Sequence, residues 1–384
     1  MRNGWILVVV VVMAVVLIAA MTRFDNGHRS DPDAVMTSLL GGGDDAGFDR
    51  ATTPRPFHFP ADHGPHPQFK HEWWYMTGTL ATAVGERRFG YELTLFRLAL
   101  TPKPMERTSK WGSTQVQMGH FAVTDIQKQQ FHHAQRFSRI AMDLAGAVAD
   151  PFRVWLGDWS IAATGGTPLA PTMHLAAHHE DITLDLNLTA RKPVVLQGEN
   201  GLSRKSERPG NASYYYSLPR METTGWLTLQ GERFPVTGMS WFDREWSTSA
   251  LDEHQEGWDW FALHLSDGWD LMLYRMREKN GTTGTLSAGA LIDPDGTRIP
   301  FAHDAMIIDP LGHWRSPKTE IVYPSGWRLR VATVGIDLSV TPWIQDQELN
   351  RTLVRYWEGA VQVRGVHAGL EVQGDGYVEL AGYH

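Results

Sequence analysis

The sequence predicts an all-β protein of two antiparallel β-barrels set behind an N-terminal membrane segment, and three observations lead there. Polarity alternates with period two from Phe57 onward, turn signals recur between the alternating runs, and one uncharged stretch lies near the start. A chain of 384 residues, less that stretch, is too long for one ordinary core and suits two domains.

Residues 5–21 (WILVVVVVMAVVLIAAM) carry no charge. At ~1.5 Å per residue they span roughly 26 Å, near the lower limit for a hydrocarbon core of about 30 Å. Residues 1–22 are therefore read as a transmembrane segment or signal anchor. Leu17 and Ile18 stand where a cleavage site wants small residues, which favours a retained anchor; a cleaved and secreted form is the alternative. Arg2 faces Arg23 and Arg29 across the span, so charge orients it weakly, and the short N-terminal tail places the remainder outside the cytoplasm. The expected location is periplasmic, anchored to the inner membrane by residues 5–21.

Composition narrows the function. Lys+Arg 35 against Asp+Glu 43 gives a net charge of −8, which offers a nucleic-acid backbone no electrostatic reason to bind. Cysteine is absent, which excludes disulfides, thiolate metal sites, a Cys nucleophile and an acylated Cys, so any tether is peptide.

Residues 23–55 are polar, contain Asp31-Pro32 and Gly41-Gly42-Gly43-Asp44-Asp45, and read as a flexible tether. Beyond them Phe89, Tyr91, Leu93 and Leu95 alternate with other residues, and Ile182, Leu184, Leu186 and Leu188 alternate with Thr183, Asp185, Asn187 and Thr189. Val84-Gly85-Glu86, Gln230-Gly231-Glu232, Ser266-Asp267-Gly268 and Asp293-Pro294-Asp295-Gly296 each divide two such runs, a succession of hairpins. Short helical pieces are expected near residues 138–146 and 343–349. A faint echo of Thr77-Gly78-Thr79-Leu80 in Thr224-Gly225-Trp226-Leu227, and of Trp74-Tyr75 in Tyr356-Trp357, suggests two similar halves. The junction is placed at the polar stretch after Trp246, giving domains 56–246 and 247–384, and closing each half into a barrel removes its exposed edges.

Aromatic rings and carboxylates gather in three tracts: Asp62 to His66 with Glu72-Trp73-Trp74-Tyr75, then Trp241 to Trp246, then Trp258 to Phe261 with Tyr274 on the following strand. In an extended strand Asp243 and Glu245 share a face, with Arg244 opposite and Trp246 beside Arg244. Two carboxyls crowded among indoles raise one pKa enough for general-acid work near neutrality. The same spacing also fits a satisfied ion-pair network closing a barrel mouth. Trp73 and Trp74 point to opposite faces, whereas Trp258 and Trp260 share one and leave Asp259 on the other. His58, His63, His66 and His71 match no zinc spacing, so no metal is expected. His120 sits inside a strand pattern. No phosphate loop, dinucleotide fingerprint, Gly-x-Ser-x-Gly elbow or HExxH helix is present.

At these tracts the chain resembles the AttH-like proteins related to carotenoid 1,2-hydratase (hydroxyneurosporene synthase). The likeness runs from about Phe57 to the C-terminus and rests on Asp62-His63-Gly64-Pro65-His66, Glu72-Trp73-Trp74-Tyr75-Met76-Thr77-Gly78, Lys192 to Gly198, Asn211 to Ser217, Asp243-Arg244-Glu245-Trp246, Gly257 to Phe261, and Gly376 to Leu380. It implies two lipocalin-like (calycin-type) barrels with a pocket between or within them, often secreted and encoded beside an ABC exporter. Asp243-Arg244-Glu245-Trp246 departs from the His-Asp-His-Asn type of tract in the hydratase members, which points away from carotenoid itself.

The expected function is binding of a lipid or isoprenoid-like ligand, with cofactor-free hydratase or related lyase or isomerase chemistry. Asp243, Glu245, His120 and Glu72 are the candidate catalytic residues. Trp73, Trp74, Tyr75, Tyr216, Trp246, Trp258, Asp259, Trp260 and Tyr274 are the candidate ligand contacts. No cofactor is expected. A non-catalytic carrier serving an ABC transporter permease is the alternative from another class, and a glycosidase-type hydrolase, with paired carboxylates among Trp residues, is the weaker one.

Overall fold

A computed structural model describes residues 45–83, 87–103, 109–249 and 251–384. The expected membrane segment, most of the tether and the Val84-Gly85-Glu86 turn lie outside them. Among the described residues no helix is long and apolar enough to cross a membrane. The regular structure is antiparallel strand, with short 3-10 turns at Ala61–His63, His303–Ala305 and Ala332–Val334.

The first sheet runs from Gln130–Arg139 through Gln115–Asp125, Arg88–Ala99 and His71–Thr82 to Glu232–Ser247 and Ala212–Leu229, then back through hairpins from Ile182–Ala190 to Ala145–Ala149. Its ends curl together into a nearly closed barrel. Phe121 meets Trp159 edge-on at 5.6 Å and the Arg136 guanidinium lies 4.4 Å over the same indole. The second sheet runs from Arg298–Ala302 to Met306–Pro310, with Gln255–Leu265, Leu370–Ala381 and Tyr356–His367 at its middle. It forms a second, nearly closed barrel.

Period two explains the cores. Leu184, Leu186 and Leu188 fill the first barrel with Leu93 and Phe242, while Phe261, Leu263, Leu329 and Val378 fill the second. A third apolar cluster, including Tyr75, Tyr215, Trp241, Trp260 and Tyr377, lies where the two barrels meet. Strands here bury both faces, one into a barrel and one against its neighbour.

Turn chemistry holds where it was expected: Gln230 and Gly231 take φ of 54° and 79° between their two long strands, as a two-residue hairpin requires. The helical pieces do not form. Met142 and Asp143 turn at φ of 55° and 57° into the strand Ala145–Ala149, and the stretch at 343–349 is bends followed by the strand Glu348–Leu349. Of the two internal echoes, Thr77-Gly78 and Thr224-Gly225 are both strand positions of the first sheet, whereas Trp74-Tyr75 lies in the first sheet and Tyr356-Trp357 in the second.

Pro219, which has no N–H to give, sits inside the longest strand at a register shift between Leu218 and Met221. Beyond the bulge that strand pairs with Ile182–Ala190; before it the partners are the short Val195–Leu196 and Leu202–Arg204.

Two features fasten barrel to barrel. Gly90 comes so close to the second barrel that a Cβ there would stand 2.6 Å from that of Ala360. Asp270, buried in the second barrel, takes Lys192 at 2.7 Å, Arg220 at 2.7 Å and His264 at 2.9 Å. Lys192 and Arg220 come from the first barrel, so the Lys192 to Gly198 motif begins with this clasp.

Candidate active site between the two barrels

Strand alternation sorts the tracts cleanly. On His71–Thr82 the odd residues His71, Trp73 and Tyr75 face the second barrel, and Glu72, Trp74 and Met76 face into the first. On Glu232–Ser247 Asp243 and Glu245 face the second barrel, while Phe242, Arg244 and Trp246 point inward. Register then builds rows. Gln135, His120, Thr94, Tyr75, Asp243 and Ser217 follow one another across five strand pairings. A second row carries Phe96, Trp73, Glu245 and Tyr215. From the second barrel comes the row Tyr274, Trp260, Glu379 and Glu358.

Between these rows lies a cavity of about 120 Å³, walled by rings and apolar chains with Asp243, Glu245, Glu379, Lys205, His71 and His120 among them. At ~30 Å³ per liquid water, that is room for about four waters. Apolar walls of this kind suit a hydrophobic ligand.

Asp243 is the centre of the polar part. Its Oδ1 accepts from Ser217 Oγ at 2.6 Å and Trp241 Nε1 at 2.7 Å, and its Oδ2 from the Tyr215 hydroxyl at 2.6 Å. Those donors favour the carboxylate, yet burial outweighs them and, with the nearby Glu245 charge, pushes the pKa up to about 7. Glu245 stands 3.0 Å from Lys205 Nζ. Burial works against the charge on Lys205, but Glu245 and its neighbours keep its pKa above the ordinary value.

Three more buried carboxyls lie along the seam. Glu379 lines the cavity, accepts from Trp258 Nε1 at 2.9 Å, and is pushed up to about 8 by burial and by Glu92. Glu358, opposite it, is raised well above the usual range by burial and by Glu379 and Glu92, and takes a short hydrogen bond from Tyr75. Glu92 is raised to about 7 by burial, although Thr94 donates to it at 2.6 Å. Among the described residues Glu92 Oε2 and Glu358 Oε2 have no hydrogen-bond partner, which costs a neutral carboxyl less than a carboxylate.

His120 lines the cavity with both ring nitrogens committed. The Gln135 amide, whose oxygen accepts from Leu353 N at 3.0 Å, gives its N–H to Nε2 at 2.6 Å; Nδ1 then carries the proton and donates to the Tyr356 hydroxyl at 2.5 Å. Burial pushes this imidazole down to about 3, so it stays neutral.

Of the sequence-expected contacts, Trp73, Tyr75, Trp258, Trp260 and Tyr274 line the cavity with Asp243, Glu245 and His120. The others lie elsewhere. Glu72 is inside the first barrel between Arg97 and Arg244, which hold its pKa well below the usual range against the effect of burial. Trp74 packs under the Arg244 guanidinium at 4.0 Å, Trp246 stacks on His66 at 3.8 Å, and Tyr216 bonds His63 at 2.6 Å. Asp259 pairs with Arg275 and Arg277 on the inner face of the second barrel. On the even-numbered face of the first barrel Arg97 and Arg244 hold Glu72, and on the odd-numbered face the two carboxyls Asp243 and Glu245 stand together with Lys205 paired to Glu245.

Sequence reasoning missed His71, Lys205, Tyr215, Tyr356, Glu358 and Glu379. Glu379 lies within the quoted Gly376 to Leu380 motif, and alternation from Tyr377 puts it on the same face. That signal could have found it.

Comparison with known proteins supplies a context. A family profile described as AttH-like matches residues 50–383. The crystal structure of an AttH from Nitrosomonas europaea superposes with a TM-score of 0.77 at 36% identity, covering 88% of this chain and 100% of that one. Kievitone hydratase of Fusarium solani subsp. phaseoli is 26% identical over 213 residues, 53% of this chain and 58% of the relative's own length. The crystal structure of kievitone hydratase from Nectria haematococca shares the fold, with a TM-score of 0.64 at 18% identity over 87% of this chain and 96% of that one.

Proposed function

This chain belongs to the AttH-like family, and from that premise we propose that it is a cofactor-independent hydratase, or the corresponding lyase, for a hydrophobic alkene held between the barrels. The observation that carries the reading is Asp243: a carboxyl poised near neutrality at the wall of an apolar, ring-lined cavity. Similarity to a hydratase supports the reaction class.

The neutral Asp243 carboxyl gives its proton to one alkene carbon, and the electron pair of the double bond forms the new C–H bond. Positive charge develops on the other carbon against the faces of Trp73, Trp260 and Tyr274. A water on the Glu245 side adds its oxygen to that carbon and passes a proton to the Glu245 carboxylate, which Lys205 holds in place. Proton return from Glu245 to Asp243 resets the pair, and the sum is one water added. His120, fully hydrogen-bonded, orients Tyr356 and does not hold the attacking water.

The segment 5–21 would keep this pocket outside the cytoplasm beside the bilayer from which such a substrate partitions. The intact mass of the purified protein tests that: a mature chain beginning after residue 21 removes the anchor. For the chemistry, isoprenoid alkenes are incubated with the protein in H2(18)O and products weighed. Uptake of one labelled water, lost in Asp243→Asn, is expected. A native lipid co-extracted unchanged, no uptake, and full binding by Asp243→Asn would instead establish a carrier that hands its cargo to a transporter.

A further inference from the structure

His71 is 1% exposed, lines the cavity, and has no hydrogen-bond partner at either ring nitrogen among the described residues. Other polar groups on the same wall are engaged: the Tyr75 hydroxyl on Glu358, Trp258 on Glu379, Trp260 on Tyr215, and His120 on both sides. A buried polar group left unpaired is unfavourable, so this imidazole is placed to bond a polar group that enters the cavity. It lies beside Trp73, whose ring is stacked near it at 6.1 Å, with Leu98 opposite in register on one side and Ser247, whose hydroxyl is given to Ala212 O, on the other. Burial, with the charges of Lys70 and Arg97, pushes its pKa down to about 3, leaving one N–H and one lone pair.

We infer that His71 is the specificity-determining contact of the cavity, taking a neutral hydroxyl or carbonyl on an otherwise hydrophobic substrate. A hydroxyl can donate to the bare nitrogen, and a carbonyl can accept from the protonated one. A carboxylate or phosphate group is disfavoured, because it would be buried against a neutral ring while the nearby cations Lys205, Lys70 and Arg97 are already paired with Glu245, Asp45 and Glu72. The substrate class is accordingly an alkene-bearing, uncharged molecule with a polar group separate from its double bond, His71 binding the first while Asp243 meets the second. The contact at His71 rests on the cavity being the substrate pocket and not on the acid chemistry; the alkene half of the substrate class rests on the proposed hydratase reading.

Isothermal titration with 2-naphthol and with its hydroxyl-free counterpart 2-methylnaphthalene tests it. His71→Leu is expected to weaken 2-naphthol about tenfold, the worth of a buried neutral hydrogen bond, and to leave 2-methylnaphthalene within about twofold. His71→Gln, which keeps a donor and an acceptor, restores part of the difference. In the wild-type protein the His71 ring nitrogen NMR signals should move with 2-naphthol and stay still with 2-methylnaphthalene, a readout that needs no folded variant. Equal weakening of both probes, no weakening, immobile ring signals, or a wild-type protein that binds neither probe would each overturn the assignment. Discrimination at His71 without any water uptake by alkenes would sink the hydratase reading alone; water uptake without discrimination would sink this one alone.

Discussion

At the scale of the residue, Asp243 and Glu72 show how one strand pairing separates two kinds of carboxyl. Asp243 meets only neutral donors and is raised by burial to about 7; Glu72, buried as deeply, meets two guanidiniums and is lowered. If Asp243 supplies the proton, the rate must fall as pH rises through about 7, since the competent form is the neutral one. A pH–rate profile rising through that point would exclude it as the acid. Asp243→Asn should lower the rate ~100-fold or more while circular dichroism and thermal stability stay near wild type. Glu72→Ala should behave in the opposite way. Removing one partner from a buried ion-pair network costs ~3–5 kcal/mol, so loss of stability in denaturant unfolding, rather than a selective catalytic defect, is its expected signature. Parity made the sharing of a face by Asp243 and Glu245 readable in the sequence. Which face met the second barrel was not readable, because both are buried, and so Trp246, Tyr216 and Glu72 could not be told from cavity residues.

At the scale of the element, the strands Arg88–Ala99 and Tyr356–His367 touch at Gly90 and Ala360, each from a different barrel. No room exists there for a side chain. Gly90→Val should therefore push the barrels apart, costing ~1–3 kcal/mol as overpacking does, and weaken 2-naphthol binding more than it disturbs far-ultraviolet circular dichroism; unchanged binding would mean that this contact does not set the cavity. The hairpins were legible because Gly, Asp and Pro punctuate them. The expected helical pieces were not there because the stretches near 138–146 and 343–349 are consumed by a turn and by bends that return the chain to the sheet. The row Tyr274, Trp260, Glu379 and Glu358 was only half visible. Glu358 and Glu379 are far along the chain from the first tracts, and only the pairing of Tyr356–His367 with Leu370–Ala381 sets them opposite each other.

At the scale of the whole molecule, the seam is a reservoir of buried acids. Asp243 and Glu92 at about 7 and Glu379 at about 8 all lie above the ordinary carboxylate range. The folded state thus keeps protons that the unfolded chain gives up near pH 4. Their contribution is fully present below that point and is lost as pH rises through 7 to 8, whereas Asp62, lowered to about 2 by its hydrogen bonds to His66 and Arg55 in spite of burial, contributes above pH 4 and is lost as pH falls through 2. The buried neutral imidazoles His71 and His120, pushed down to about 3, pull the other way below about pH 6.5, where the unfolded chain takes up their protons. Above that point the acids dominate, so the melting temperature should fall by several degrees between about pH 6.5 and 8 in scanning calorimetry. A flat profile over that range would show the acids to be ionised in the fold. Composition and period two were enough to foresee barrels; the docking of one on the other, which makes the acid seam, is a tertiary fact with no local signal beyond scattered motifs such as Lys192 to Gly198.

The placement of the cavity on a third cluster, apart from both barrel cores, has an evolutionary consequence. A substitution at Trp73, Tyr274 or His71 changes the wall of the proposed substrate pocket without removing a group from either interior. Divergence of substrate can proceed at the seam while both barrels go on folding as before, so a lineage with this architecture can change its chemistry in small steps that folding tolerates.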